Sequence, residues 1–113
     1  MTAWRKGEIC LVDFNPAKGG EMGKLRPAII LSDEESNRFL ETVMVVPLSS
    51  VIEEDTLPYR YKIRRRGKLK YDSDACINEV RALSKRRVKE RLGILEAQEL
   101  ETIQDALCIL IRS

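Results

Sequence analysis

With 113 residues, 43% of them hydrophobic and 34% charged, the chain is long enough to bury a core and polar enough to cover it. No apolar run approaches the ~20 residues of a membrane helix, and the opening MTAWRKGE has no apolar signal core, so one cytoplasmic domain over residues 1–113 is expected. The net charge of +2 excludes little by itself, but the lack of any histidine removes the commonest acid–base side chain.

In chain order, strand-like segments dominate. Residues 8–14, EICLVDF, alternate Ile9, Leu11 and Asp13 on one face with Cys10, Val12 and Phe14 on the other. Asn15-Pro16 breaks this strand, and Lys18-Gly19-Gly20 supplies loop chemistry. Residues 27–32, PAIILS, are almost wholly apolar, as in a strand buried on both faces. Residues 42–48, TVMVVPL, form another, with Pro47 near the end where a missing N–H is tolerated.

Residues 59–64 read as a half-exposed strand, continued through Gly67 as a hairpin into residues 68–71. Residues 74–83, DACINEVRAL, read as a single strand, with Ala75, Ile77, Glu79 and Arg81 on one face and Cys76, Asn78 and Val80 on the other. Over residues 96–111, Leu100, Ile103, Leu107 and Leu110 recur three or four apart, which predicts an amphipathic helix. Glu96, Glu99 and Glu101 suit the start of its dipole and Arg112 its end. The expected fold is mainly β with a C-terminal helix, a small twisted barrel-like sheet capped by that helix.

Charge is segregated along the chain. Residues 60–70, RYKIRRRGKLK, hold seven basic side chains and no acid, and residues 85–91, KRRVKER, hold five against one. Two readings stay open for the first run: a polyanion-binding face, or a solvated hairpin whose cations guard an edge strand. Cys10, Cys76 and Cys108 all lie in apolar segments at spacings that match no zinc pattern, and are expected to be buried, reduced thiols. Trp4 reads as an N-terminal packing residue. Tyr59, Tyr61 and Tyr71 are interleaved with cations and read either as half-buried strand residues or as base-stacking platforms.

Arg26 stands at the mouth of a strand, locked beside Pro27 and preceded by Gly19-Gly20, a placement suited to holding a phosphate. From here the residues resemble a known family. Gly7-Glu8-Ile9, Val12-Asp13-Phe14-Asn15-Pro16, Gly19, Glu21, Arg26-Pro27-Ala28, then Val46-Pro47-Leu48-Ser49-Ser50, then Asn78-Glu79-Val80-Arg81-Ala82-Leu83 follow the order of the MazF/PemK (Kid) toxins. That resemblance covers nearly the whole chain and implies the MazF/CcdB-like, SH3-like barrel. It also implies a sequence-specific, metal-independent endoribonuclease without cofactor, acting on single-stranded RNA, homodimeric, and silenced by a cognate antitoxin. By the same resemblance Arg26 and Ser49 are the catalytic pair, with serine in place of the commoner threonine. Gly19, Gly20, Glu21, Pro27, Ser50, Asn78, Glu79 and Arg81 are the substrate-binding candidates.

The chemistry is self-consistent. RNA carries its own nucleophile, the 2′-hydroxyl, so the protein must hold the phosphate in line and neutralise the charge that builds on it. Arginine is effectively never deprotonated, so Arg26 is a clamp rather than a base. The carboxylates nearest the motifs are Asp13, read as a structural group at its strand end, Glu21 and Glu79. Ser50 competes with Ser49 for the hydroxyl role, and Glu79 with Arg81 reads equally as a simple ion pair. Two other classes stand beside this reading: a non-enzymatic CcdB-like gyrase-binding toxin, from which the ending Leu110-Ile111-Arg112-Ser113 differs by lacking a tryptophan, and a nuclease-dead member that only binds RNA or its partner.

Overall fold

The computed structural model describes residues 3–15, 25–54 and 56–113. Among the described residues, seven strands and two α-helices follow in the order β1 (Glu8–Asp13), β2 (Leu25–Ile30), α1 (Glu34–Phe39), β3 (Thr42–Ser49), β4 (Arg60–Ile63), β5 (Ser73–Cys76), β6 (Arg81–Ser84), β7 (Val88–Ile94) and α2 (Ala97–Arg112). The sheet is antiparallel and runs β4-β5-β3-β2-β1-β7, with β6 also on β3. This is the expected mainly β fold with a C-terminal helix.

The central strands β1, β2 and β3 are largely apolar because alternate residues feed two cores. Ile9, Ile29, Val46, Leu48, Ile63 and Ile77 pack under α2 against its Ile103 and Ala106. Cys10, Val12, Ala28, Ile30, Val43, Val45, Leu83 and Val88 fill the opposite face, edged by Trp4 and Phe14. Trp4 is thus the packing residue that its position suggests. The helix follows the predicted periodicity and begins with a reciprocal capping box between Glu96 and Glu99.

Three elements differ from the sequence reading. The segment expected as one strand over residues 74–83 is β5 and β6 separated by a 3₁₀ turn, Ile77–Glu79. Both halves pair with β3, β5 at its end (Leu48↔Ala75, Ser49↔Asp74) and β6 at its start (Thr42↔Ser84 to Val45↔Arg81). The break falls beside Pro47, which has no N–H to give a ladder. Second, α1 carries no apolar periodicity; its signal is the N-cap Asp33, whose carboxylate accepts from the Ser36 N–H at 2.7 Å, with Glu34 and Glu35 in the first turn. Third, β7 starts within the second basic run and pairs with β1 through bulged register shifts.

The hairpin expected through Gly67 shrinks to a single bridge, Arg66↔Leu69. That tight turn abuts β7: the Lys68 N–H donates to the Leu92 carbonyl at 2.7 Å. Gly67 has φ +53°, and a Cβ there would meet the Leu92 oxygen at 2.5 Å, so both conformation and space call for glycine. The sheet thus curls until its ends touch, although no strand ladder joins β4 to β7 among the described residues.

Candidate functional site

Register and alternation assemble the site. Just past β1, Phe14 follows Cys10 and Val12 on the face of the smaller core, and Arg26 precedes Ala28 and Ile30 on the same face of β2. Ser49 follows Val43 and Val45 there in β3, and Arg81 precedes Leu83 in β6. The β2–β3 pairing Ala28↔Pro47, carried two residues further, sets Arg26 level with Ser49.

Arg26 is half-buried, and its Nη2 donates to the Leu48 carbonyl at 3.0 Å, fixing the guanidinium beside the end of β3. Its guanidinium carbon lies 5.8 Å from the centroid of Phe14, and that of Arg81 lies 5.6 Å from the same ring. Two cations from different strands therefore approach one aromatic ring, an attraction that offsets their mutual repulsion only in part. Ser49 is half-buried and its Oγ accepts from the Val51 N–H at 3.2 Å, which leaves the hydroxyl proton to donate elsewhere; Ser50 is exposed.

A groove of about 940 Å³ brings Arg26, Pro27, Ser49 and Ser50 together. Across it stand Lys68, Lys70, Tyr71 and Glu90. Tyr71 is 71% exposed and available for stacking, whereas Tyr61 packs on the larger core. Asn78 and Glu79 lie on the exposed 3₁₀ turn rather than on a strand, so the two-residue face relation between Glu79 and Arg81 does not hold. Among the described residues these two form no ion pair with each other. Neither they nor Arg81 line the groove; Arg81 joins Arg26 through Phe14 instead. Gly19, Gly20 and Glu21 lie outside the described residues. Asp13 has the structural role expected of it, accepting from the Asn15 N–H at 2.9 Å.

Phe14 and Glu90 escaped the sequence reading. Phe14 reads only as a strand residue of the family-like run, with no site role, and Glu90 belongs to the unrecognised β7, where it pairs with Lys68 at 3.4 Å.

Much of the basic charge is engaged inside the fold. Arg66 grips Glu99 through both amino groups, at 2.5 and 2.8 Å, and also donates to the Ile94 carbonyl. This bond holds the Glu99 carboxyl below its usual range and raises Arg66. Lys85 donates to the carbonyls of Asn37 and Arg38 at the end of α1, Arg87 to those of Asp13 and Asn15, and Arg91 pairs with buried Glu8. Lys62, Arg64, Arg65 and Lys70 stay exposed.

The cysteines divide. Cys10 and Cys76 are buried; desolvation first, then Glu8, pushes the Cys10 thiol up to about 12, and desolvation likewise raises Cys76. Both are therefore protonated. Cys108, expected to be buried, is exposed on α2, one position off its apolar stripe. Among the described residues no group of three or more acidic, cysteine or histidine side chains is placed to hold a metal ion, and no helix is long and apolar enough to cross a membrane.

Fold and groove define a small, mainly β domain with a cleft carrying arginine and serine. Residues 5–111 match the family of PemK-like, MazF-like toxins of type II toxin–antitoxin systems, and the chain belongs to that family. Among solved structures it is similar to a MazE–MazF complex from Deinococcus radiodurans (TM-score 0.81, 21% identity, covering 97% of this chain and 96% of that one). It is also similar to MazF from the same organism (0.79, 23%, 98% of each) and to an endoribonuclease from a mycobacterial species (0.75, 20%, 99% and 94%).

Proposed function

We propose that this chain is an endoribonuclease toxin, one domain over residues 1–113, that cleaves single-stranded RNA at a short sequence motif. The convergence of Arg26 and Arg81 on the Phe14 ring, next to Ser49, carries this reading. It is the arrangement a scissile phosphate requires, with a fixed guanidinium fork, a hydroxyl donor and a second cation nearby. The 2′-hydroxyl attacks the adjacent phosphorus and loses its proton; the P–O5′ bond breaks and the departing oxygen takes a proton. The products are a 2′,3′-cyclic phosphate and a 5′-hydroxyl. Because the substrate carries the nucleophile and Arg26 bears the charge, the route needs no metal.

Arg26 clamps the phosphate and Ser49 donates to a phosphate oxygen, with Ser50 as the neighbouring hydroxyl. Pro27 fixes the approach of Arg26, Gly19, Gly20 and Glu21 contribute to substrate binding, and Asn78 and Glu79 read bases beside Arg81. Lys68, Lys70 and Tyr71 line the path of the strand. The likeness to a MazE–MazF complex supports a cognate antitoxin, and family membership supports a cytoplasmic homodimer.

The test is incubation of the purified protein with a long RNA in EDTA. Cleavage leaving ends that resist 3′ labelling is expected, with Arg26→Ala lowering the rate about 10²–10³-fold, as for loss of a charge-stabilising donor. An inactive wild type, or undiminished cleavage by Arg26→Ala, refutes the proposal.

A further inference from the structure

Asp74 is the least expected residue in this part of the fold: a carboxylate 1% exposed in a short strand whose neighbours are core. It pairs directly with Ser49 in the β3–β5 ladder, so the two side chains share a face about 5 Å apart at Cβ. Its Oδ2 accepts from the Glu53 N–H at 2.7 Å and lies 3.6 Å from Nη1 of Arg60. The same Arg60 nitrogen donates to the Val51 carbonyl at 3.1 Å, and its Nε lies 3.5 Å from the Glu53 carboxylate. The Val51 N–H in turn donates to Ser49 Oγ.

These contacts form one chain of restraint. A buried carboxylate, which is costly without partners, is paired with Arg60 and accepts from a backbone N–H of the segment that leaves β3. Residues 51 and 53 are thereby tied to β4 and β5, and residue 51 sets the rotamer of the Ser49 hydroxyl. We propose that Asp74, with Arg60, is a positioning pair that holds the 49–54 segment and aims the Ser49 hydroxyl at the phosphate. The inference rests on the reading of Ser49 as the site hydroxyl; Asp74 touches no substrate and transfers no proton.

The experiment compares Asp74→Asn and Arg60→Gln with wild type in the full-length protein, using a short RNA that wild type cleaves. Each variant is expected to lower kcat about 10- to 100-fold, the scale of a small misplacement of a reacting group, while KM changes less than threefold. In a Ser49→Ala background the same substitutions are expected to cost under threefold, because the group they position is gone. Amide exchange at residues 51 and 53 is expected to quicken at least tenfold in both variants, whether or not the protein cleaves RNA. Arg60 is the more exposed partner, so Arg60→Gln decides the matter if Asp74→Asn does not fold. Unchanged exchange at those amides, unchanged kcat in a folded variant, or an equal loss with and without Ser49 overturns the proposal. A wild type that cleaves nothing refutes the ribonuclease reading instead, and the exchange measurement still decides the anchor.

Discussion

The clamp between Arg66 and Glu99 ties the turn that closes the curled sheet to the first turn of α2, and removing it gives a measurable prediction. Their side chains are 20% and 17% exposed, so the pair lies between the ~0–1 kcal/mol of a surface ion pair and the ~3–5 kcal/mol lost when a buried pair is broken. Arg66→Met keeps the aliphatic stem but loses both carboxylate bonds and the donation to the Ile94 carbonyl, and should cost about 2 kcal/mol. For a chain of this size that is a fall of roughly 8 °C in Tm at fixed protein concentration. Glu99→Gln retains an oxygen for the Glu96 N–H of the capping box and should cost somewhat less. The double variant should lose little more than the worse single, since both remove one interaction.

The pH dependence has a definite sign. Arg66 lowers the folded carboxyl of Glu99 below the ordinary 4.5. Its contribution is therefore complete above that value and is lost as pH falls through the folded value. The Tm gap between wild type and Glu99→Gln should be full at pH 7 and shrink as the solution is acidified below about pH 4.5. Thermal melts across pH 3–8 test this; additive single losses, or a gap that widens toward acid, would refute the reasoning.

Three further outcomes are expected. Asn37 is buried in α1, donates to the carbonyls of Trp4 and Ser32 and accepts from Ser32 Oγ; Asn37→Ala orphans these groups and should cost about 2–3 kcal/mol, read as a lower urea midpoint at unchanged slope, and a loss below 0.5 kcal/mol contradicts this. Gly67→Ala forces φ +53° on a residue whose Cβ strikes the Leu92 oxygen, so a Tm loss equivalent to at least about 2 kcal/mol is expected, and a neutral result would mean that the turn does not abut β7. Phe14→Leu keeps an apolar side chain but removes the ring under both arginines, worth about 0.5–1 kcal/mol for each; RNA cleavage should fall about fivefold while Tm moves only a few degrees. Full activity in that variant would show that the ring does not organise the cations.

Hydrophobic patterning alone specified the strands at either side of Arg26, the strand ending at Ser49 and the helix of Leu100, Ile103, Leu107 and Leu110, because periodicity and apolar runs are local properties. Arg26 was legible for the same reason: an arginine fixed beside proline at a strand mouth is visible without knowing its partners. What the local pattern does not contain is pairing. The division of residues 74–83 depends on two offset registers against β3, and β7 was hidden because a strand among basic residues is recognised only once β1 lies beside it. Register likewise decided that Arg66 is a clamp rather than a solvated cation, that Phe14 gathers two arginines, and that Asp74 stands opposite Ser49. The sequence thus determined which segments form and which charges are present; the tertiary structure decided which charges meet, because residues far apart in the chain become neighbours only through the sheet.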